Sequence, residues 1–459
     1  MSTRPLSEIP LLPSRHLFGH LPELRKEPLS FLKRVMSERG ERARVRLGTT
    51  TALFLGCPQL IQQLLVDHAY DYEKNRSLTV FARPVLGDGL VTSQGAKHRT
   101  RRAIVAPAFQ PRRIRRFVDT IAGETDRVLD SLLKTTSTDL NEAMTRLTLH
   151  VVTSTLLRTE VEGDVQRVGE AFTAVSEALM NLVRSPLPLP PRFPTPSGRK
   201  LLRAAGELDA IVRRILHERR RDDTGYDDVL AMLLEGRDET GAQLSIEDLR
   251  DEVMTLLLAG HETTANALTW ALQLVATTPR VAKKLRSEVD QALGSRPPRY
   301  EDLAALPYCL QIIKEALRLY PPAYLVGRIA TQDTALGDFH IPKGQLVFAN
   351  VYGLHHWARF HPDPERFEPE RFDDQAEKRW QRNTYLPFGT GPRVCVGNHF
   401  ALMEAQVVLA RFSQRLELSG AISGLAKPAP LITLRPEPPV LMQVRPRREA
   451  QAAQPRPGD

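Results

Sequence analysis

Residues 245–277 can form one unbroken helix, because the chain has no proline between Ser245 and Pro279. About 30 residues at about 1.5 Å each span roughly 45–50 Å, long enough to cross the whole molecule. Most side chains of Leu256–Val275 are apolar or small on every face, which is typical of a buried helix. Ser245 followed by Asp248 resembles a capping box. The chain is therefore expected to fold around a long central helix.

Helical patterns also dominate much of the remaining chain. Amphipathic helices are expected from about Pro111 to Val183 and again from Arg199 to Arg221. Between them, Ser185–Gly198 contains six prolines, so it must be a loop, because proline does not fit a regular helix interior. A flexible domain linker is the simpler interpretation of this loop. Its prolines and apolar residues indicate instead a semi-rigid connection that could close over a ligand.

A smaller β region accompanies these helices. Arg44–Gly56 predicts two strands joined by a turn, with a helix from Pro58, and after Pro321 the pattern changes to short strands and turns. No repeat with a period of about 20–50 residues is visible. The predicted fold class is therefore mainly α with a small β region. One domain is expected over residues 1–447, with a disordered basic tail at 448–459.

The composition is that of an ordinary globular protein, with 42% hydrophobic and 25% charged residues. No run of about 18 apolar residues could form a membrane anchor, and the N-terminus lacks the apolar core of a secretory signal. Three cysteines, an odd number in a long chain, argue against a disulfide framework. A reducing compartment fits this pattern, so a cytoplasmic protein is expected.

The net charge of +9 raises nucleic acid, a membrane surface or an acidic protein as partners. Much of the excess lies in His98–Arg116. No tract resembles a homeodomain, a paired-cysteine zinc site or an RNA-binding signature, so no nucleic-acid partner is expected.

The loop Pro387–Gly397, PFGTGPRVCVG, places three glycines around a single cysteine, Cys395. Glycine permits unusual backbone conformations and close approach of the backbone to a flat ligand. Backbone N–H groups of such a loop can point at a thiolate and tune its charge. Phe388 at the loop entrance could pack against the same ligand, and Arg393 precedes the cysteine by two residues. Taken alone, the loop favours a glycine turn before a helix, with Cys395 an inert core residue.

The segment Ala259–Thr264, AGHETT, interrupts the apolar central helix with polar residues. Gly260 costs about 1 kcal/mol relative to alanine there, so it needs a packing or functional reason. Glu262 and Thr263 add a carboxylate and a hydroxyl, and a buried carboxylate is costly unless it is paired or used. An acid beside an alcohol suits proton transfer to a bound oxygen ligand. The alternative is a kinked helix in which Glu262 reaches a buried arginine.

Two pairs of charged residues at helical spacing complete the set of motifs. Glu315 and Arg318 are three residues apart in an otherwise apolar helix, so the pair would be buried and need a third partner, for which Arg371 is a candidate. His98 and Arg102 are four residues apart and could both bind an anion. Alone, this second pair is better explained as part of a solvated basic helix.

Together these motifs closely resemble those of the cytochrome P-450 family of haem-thiolate monooxygenases, over about Pro10–Arg447. The glycine-rich loop fits the family's cysteine loop at every fixed position, and AGHETT fits its oxygen-activating helix. Glu315 and Arg318 fit its glutamate–arginine pair, and Arg371 the arginine that joins them. The resemblance implies a mainly α fold with haem between the long central helix and the helix after the cysteine loop.

The resemblance implies haem b as the cofactor and Cys395 as the proximal thiolate, which favours O–O cleavage. Glu262 and Thr263 would be the acid–alcohol pair that delivers protons. Glu315, Arg318 and Arg371 would hold the core around the cysteine loop. His98 stands where many members carry tryptophan. The further cofactor-binding residues implied are His98, Arg102, Gly260, Arg328, Phe388, Gly389 and Arg393.

The resemblance also supplies substrate-contacting positions, which are mostly apolar. Such a pocket suits a terpenoid, a steroid or a fatty acyl chain, and the lack of a clearly placed arginine slightly favours the first two. The expected reaction is hydroxylation or epoxidation of this hydrophobic molecule with dioxygen. The positions are Leu78, Phe81, Ala259, Thr264, Ala323, Leu325, Val326 and Leu431.

The two electrons for this reaction are expected from separate proteins, because no segment fits a fused flavin or iron–sulfur domain. A basic face on the cysteine side of the haem would steer an acidic ferredoxin or flavodoxin, itself reduced by an NAD(P)H-dependent reductase. The residues expected to form this face are Arg99, Arg101, Arg112, Arg113, Arg115 and Arg116.

Two other functions are compatible with the same fold. A haem-thiolate enzyme that uses or rearranges a peroxide generally lacks the acid–alcohol pair, whereas Glu262 and Thr263 are both present. A non-catalytic haem sensor is disfavoured by the same pair and by the absence of a recognisable output domain in the sequence. The dioxygen-dependent monooxygenase is therefore the favoured function.

Overall fold

The computed structural model describes residues 3–75, 77–157, 165–184, 189–191, 193–221, 228–237, 241–417 and 424–447. Helices predominate in both halves of the chain. Those of the first half are α1 (Leu21–Lys26), α2 (Pro28–Arg39), α3 (Pro58–Gln62), α4 (Ala82–Leu86), α5 (Gly95–Val105), α6 (Pro111–Ile114), α7 (Val118–Leu132), α8 (Leu140–Val152) and α9 (Val165–Arg184). Those of the second half are α10 (Pro196–Arg221), α11 (Val229–Glu235), α12 (Ile246–Ala276), α13 (Pro279–Leu293), α14 (Pro307–Leu319), α15 (Val351–His355), α16 (Asp374–Glu377) and α17 (Asn398–Arg415).

Short strands form the β region. They are β1 (Arg42–Leu47), β2 (Thr50–Leu55), β3 (Tyr72–Lys74), β4 (Ser137–Asp139), β5 (Val326–Ala330), β6 (Thr334–Leu336), β7 (Phe339–Ile341), β8 (Leu346–Ala349), β9 (Pro428–Pro430), β10 (Leu434–Pro436) and β11 (Leu441–Gln443). One sheet has the order β1-β2-β8-β5-β3, in which only the β2–β8 pair is parallel. The antiparallel pairs β9–β10, β4–β11 and β6–β7 are separate. The mainly α fold with a small β region is thus confirmed.

Helix α12 is the predicted central helix. It begins after Ser245, whose Oγ accepts a hydrogen bond from the backbone N–H of Asp248 at 3.1 Å. The same Oγ donates to the side-chain carboxylate of Asp248 at 2.8 Å. The helix packs against α8, α10, α14 and α17, and most of its side chains are buried. Burial on all sides explains why its sequence lacks a polar face.

Other local predictions are confirmed with shifted ends. The hairpin β1–β2 and the start of α3 at Pro58 lie where the sequence indicates. Helix α10 begins at Pro196, inside the predicted loop Ser185–Gly198, because proline is well accommodated in the first helical turn. Residues 185–188 and 192 of that loop, and the tail 448–459, lie outside the described residues.

The predicted change to short strands and turns after Pro321 is confirmed, and so is the helix expected after the cysteine loop. Seven strands occur there in the described residues, and the 18-residue helix α17 follows the cysteine loop. Its Phe400 packs edge-on against the rings of Phe109 and Phe117, so α17 joins the large helical core. A second apolar cluster lies against the sheet.

Candidate active site

The cysteine loop is shaped by two glycines with left-handed backbone conformations. Gly389 has φ +70° and Gly391 has φ +74°, and a Cβ on Gly391 would lie 2.1 Å from the carbonyl oxygen of Leu65. Only glycine fits that position without moving the backbone. The Cys395 N–H then donates to the carbonyl of Phe388 at 2.9 Å, which closes the loop just before α17.

Cys395 stands at the end of this loop and retains solvent-accessible surface, unlike the buried Cys57 and Cys309. Burial raises the pKa of the thiol, whereas the Gly397 backbone N–H and the positive charge of Arg102 act to lower it. The loop therefore offers a sulfur ligand with a donor and a cation that stabilise its thiolate.

Two arginines tie the loop to neighbouring elements. Arg102 of α5 donates from Nη1 to the carbonyl of Val394 at 2.7 Å. Arg393 donates from Nη1 to Ala69 O at 2.7 Å and from Nη2 to Tyr72 O at 2.8 Å, at the start of β3. Both guanidinium groups are thereby held beside the cysteine.

The charge of Arg393 acts on three further ionisable groups, which are His98, Lys74 and Arg328. Burial, and then the charges of Lys74, Arg393, Arg102 and Arg328, lower the pKa of His98 to about 3. Burial and the nearby arginines lower the pKa of Lys74 to about 7. Sequence reasoning missed Lys74, because a lysine in a short strand carries no signal until its burial is known.

Arg328 of β5 is the least satisfied member of this cluster. Its Nε is buried without a hydrogen-bond partner, and burial followed by the charge of Arg393 lowers its pKa to about 10. A cavity of about 380 Å³ opens beside the cluster and is lined in part by His98, Arg102 and Arg393. Such a concentration of positive charge calls for an anionic ligand. The thiol, the cations and the cavity together fit haem, whose two propionates supply that charge.

The polar segment of α12 also borders an internal space. Ala259, Gly260, Glu262 and Thr263 retain accessible surface although the turns on both sides are buried. Thr263 Oγ1 donates to Ala259 O at 2.8 Å. Gly260 has a packing reason, since a Cβ there would lie 3.0 Å from Val152 Cγ2. Its place among the cofactor contacts stays a prediction.

Glu262 is paired with a hydroxyl, and the predicted alternative of a buried arginine partner is wrong. Thr433 Oγ1 donates to Glu262 Oε1 at 2.8 Å, and Asn266 Nδ2 lies 3.3 Å from the same hydroxyl. Burial raises the pKa of Glu262 to about 7, against the lowering effects of Thr433 and of the Arg435 charge. Thr433 and Asn266 were missed, because Thr433 follows Glu262 by 171 residues.

Comparison with known proteins agrees with this site. The family model described as Cytochrome P-450 matches residues 9–442. The chain belongs to the cytochrome P-450 family. It is 34% identical over 405 residues to cyclooctat-9-en-7-ol 5-monooxygenase of Streptomyces melanosporofaciens, covering 88% of this chain and 87% of the relative. It is also 34% identical to cyclooctatin synthase of the same organism, with 94% and 93% coverage.

A third relative is pentalenene oxygenase of Streptomyces avermitilis, 31% identical over 91% of this chain and 92% of the relative. The protein is therefore a haem-thiolate monooxygenase with haem b as its cofactor, and it acts on hydrophobic molecules. Within the described residues, no helix has both the length and the apolar character needed to span a bilayer.

The glutamate–arginine pair of this P-450 is fully buried. Arg318 donates from Nε and Nη2 to the two carboxylate oxygens of Glu315 at 2.7 and 2.8 Å. Its Nη1 also donates to His355 O and Pro364 O, both at 2.8 Å. Arg371 Nε lies 3.3 Å from Glu315 Oε1, so the candidate third partner does join the pair.

The predicted substrate positions differ in exposure. Phe81, Leu325, Val326 and Leu431 are half-buried, Ala259 and Ala323 are exposed, and Thr264 is buried with its hydroxyl on Gly260 O. The side chain of Leu78 lies outside the described residues. Their contact with substrate stays a prediction.

The basic segment of this P-450 lies beside the helix that follows Cys395, as the packing of Phe109 and Phe117 on α17 shows. Arg112, Arg115 and Arg116 are exposed. The inclusion of Arg101 in the basic face was wrong. Arg101 is buried, forms an ion pair with Asp248 and lies 3.3 Å from Glu252 Oε1. Its helical position turns it toward α12 rather than to the surface.

Proposed function

We propose that this P-450 hydroxylates or epoxidises a cyclic terpenoid. In hydroxylation, one C–H bond of the substrate, one O2, two electrons and two protons give one C–OH group and one water. The observation that carries the dioxygen-dependent chemistry is the accessible acid–alcohol pair, Glu262 and Thr263, in the middle of an otherwise buried helix. The terpenoid class is supported by relatives named for cyclooctatin and pentalenene chemistry.

In this proposal one domain over residues 1–447 holds the haem. Cys395 would be the thiolate ligand, and His98, Arg102, Arg328 and Arg393 would bind the propionates. Phe388, Gly389 and Gly260 would be further residues that hold the cofactor. When bound, haem supplies the redox chemistry, which the electron-donating thiolate directs toward O–O cleavage. The unpartnered Nε of Arg328 and the depressed pKa values around it support the propionate assignment.

The protons are delivered by this chain's own residues. The Thr263 hydroxyl donates its proton to Ala259 O at 2.8 Å, so its oxygen lone pairs can accept a hydrogen bond at the interior. Glu262, with a pKa of about 7, can release and regain a proton near neutral pH. Neither a peroxide-using enzyme nor a haem sensor would need Glu262 and Thr263.

The substrate would bind among Leu78, Phe81, Ala259, Thr264, Ala323, Leu325, Val326 and Leu431. These residues carry no charge, which suits a hydrocarbon skeleton better than a fatty acid. Glu315, Arg318 and Arg371 act at a distance, by fixing the backbone carbonyls of His355 and Pro364.

The electrons would come from an acidic ferredoxin or flavodoxin and its NAD(P)H-dependent reductase, which places the enzyme in the cytoplasm. Exposed Arg112, Arg115 and Arg116 beside α17 support docking on the cysteine side. Complementary charge mainly accelerates such association.

Three measurements test the proposal. The reduced protein with carbon monoxide should show a strongly red-shifted Soret band that Cys395→Ala loses; a band typical of histidine ligation would refute the thiolate assignment. Cyclic terpenes should then shift the resting spectrum more than steroids or fatty acids, and turnover should need ferredoxin, reductase and NAD(P)H. Turnover with peroxide alone would favour the peroxide-using alternative.

A further inference from the structure

Hydrogen bonds to α12 and to the segment after α14 fix the position of the turn between β9 and β10. Thr433 Oγ1 donates to Glu262 Oε1 at 2.8 Å, Tyr324 Oη donates to Leu431 O at 2.8 Å, and the Leu434 N–H donates to Pro322 O at 3.0 Å. The turn therefore has a defined position relative to α12, and Thr433 links it directly to the proposed proton-delivering pair.

Asn266 sets the direction of the hydrogen bond from Thr433. It is buried, one helical turn after Glu262, and its Nδ2 lies 3.3 Å from Thr433 Oγ1. An amide nitrogen can only donate, so the threonine oxygen accepts from Asn266 and its single proton is free for Glu262. The result is a chain of donors from Asn266 through Thr433 to the carboxylate.

We propose that Thr433, oriented by Asn266, is a positioning residue that holds the Glu262 carboxyl in its ionised form beside Thr263. The inference rests on the proposed role of Glu262 and extends it to a residue on a distant part of the chain. Losing the hydroxyl would leave the carboxylate without its donor in a poorly solvated place, where the neutral acid is favoured.

The surroundings of Glu262 leave few other groups to set its charge. Arg435, two residues after Thr433, is the charged residue with a resolved effect on Glu262 in the described part of the chain, and it favours ionisation. The ring of His261 faces Phe172, with centroids 4.8 Å apart, and its Nδ1 bonds to Leu257 O. Val152 of α8 lies against Gly260, two residues before Glu262, and carries no charge. The hydroxyl of Thr433 is thus the direct stabilising partner of the carboxylate.

The test compares Thr433→Val with Thr433→Ser in the holoenzyme. Infrared difference spectra at several pH values report the C=O stretching band of a protonated carboxyl, and the band absent from Glu262→Gln belongs to Glu262. The titration midpoint of that band should rise by about one pH unit in Thr433→Val, the effect of one lost hydrogen bond to a charged group. Thr433→Ser should keep the original midpoint.

Thr334→Val is the matched control, because Thr334 also donates to a carboxylate, Asp71 Oδ2 at 2.8 Å, but on the far strand β6. It should leave the Glu262 midpoint unchanged. If the Thr433→Val variant does not bind haem, Thr433→Ala is used in its place. The pH profile of product formed per NAD(P)H consumed should move with the infrared midpoint.

The outcomes separate the two levels of the proposal. An unchanged infrared midpoint in Thr433→Val overturns the positioning role, whatever the activity. Full coupling in Glu262→Gln overturns instead the proton-delivery role on which the inference rests. A raised midpoint in the valine variant and its restoration by serine support the inference.

Discussion

Arg102 donates to the carbonyl of Val394 across 2.7 Å and so joins α5 to the residue before Cys395. The neighbouring residue Arg101 points the other way and pairs with Asp248 of α12. Helix α5 therefore connects the cysteine loop with the central helix, and its adjacent arginines serve different sides of the site.

Replacing Arg102 by alanine is expected to accelerate haem loss. The change removes the tie to the loop and one cation for the propionates, and a hydrogen bond to a charged group contributes about 1.5–3 kcal/mol. The rate of haem transfer to excess apomyoglobin should rise about 10- to 100-fold. Arg203→Ala is the control, because Arg203 is exposed on α10 and does not line the cavity beside His98 and Arg102. Equal rates in both variants would contradict the role of Arg102.

Replacing Arg318 by alanine should strongly destabilise the protein. The change removes both hydrogen bonds of the guanidinium to the buried Glu315 carboxylate and leaves it only Arg371 at 3.3 Å and the Glu368 N–H at 3.0 Å, and breaking a buried pair typically costs about 3–5 kcal/mol. The urea midpoint of the holoenzyme should fall accordingly. Arg280→Ala removes two ion pairs at the surface, with Glu368 and Glu370, and should cost no more than about 1 kcal/mol for each. Similar midpoints for the two variants would show that burial does not set the value of the pair.

Replacing Thr263 by alanine should uncouple oxygen use from product formation. General acid–base groups typically contribute about 10²–10⁴ in rate, so product formation should fall by at least about 100-fold while NAD(P)H oxidation continues. Peroxide release and product are measured together. Thr269→Ala is the control, because Thr269 makes the same bond to the residue four positions earlier, Ala265 O at 2.7 Å, inside the packed helix. Unchanged coupling in Thr263→Ala with Glu262→Gln would refute the mechanism.

Glu252 should make stability depend on pH. Burial raises its pKa to about 7, so the folded protein binds the proton more tightly than the unfolded chain. The protonated Glu252 therefore stabilises the folded state. This contribution to the free energy of unfolding is complete below about pH 4.5 and is lost as the pH rises through about 7. Relative to Glu252→Gln, the free energy of unfolding of the wild type should fall by up to about 3 kcal/mol over that range. Urea midpoints at several pH values measure this. The difference between the wild type and Glu247→Gln should show no such loss, because Glu247 is exposed and its hydrogen bonds with Arg213 lower its pKa.

Neutralising the exposed basic segment should slow electron delivery. Alanine at Arg112, Arg115 and Arg116 removes charge beside α17, and the reduction rate by ferredoxin should fall about tenfold at low salt. The difference should shrink at high ionic strength, where these charges are screened. Stopped-flow reduction of the haem measures both effects. The control removes three exposed arginines of α10, at positions 199, 203 and 220. An equal effect of the control would exclude a specific docking face.

Much of the site could be predicted because its signals are local. The pair Glu315 and Arg318 is set by helical spacing, and the glycines around Cys395 mark a turn that other residues cannot adopt. The same spacing misassigned Arg101, because a helix places successive residues on different faces and sequence alone does not show which face is covered.

The sequence by itself determined the family, the central helix, the cysteine loop and the acid–alcohol pair, since each depends on residues a few positions apart. Only the tertiary structure decided that Lys74 joins the cation cluster and that Thr433 is the partner of Glu262. The physical reason is that charge, burial and hydrogen bonding at a site depend on every segment that surrounds it. Thr433 lies 171 residues from Glu262 along the chain, and folding alone brings their oxygens to 2.8 Å.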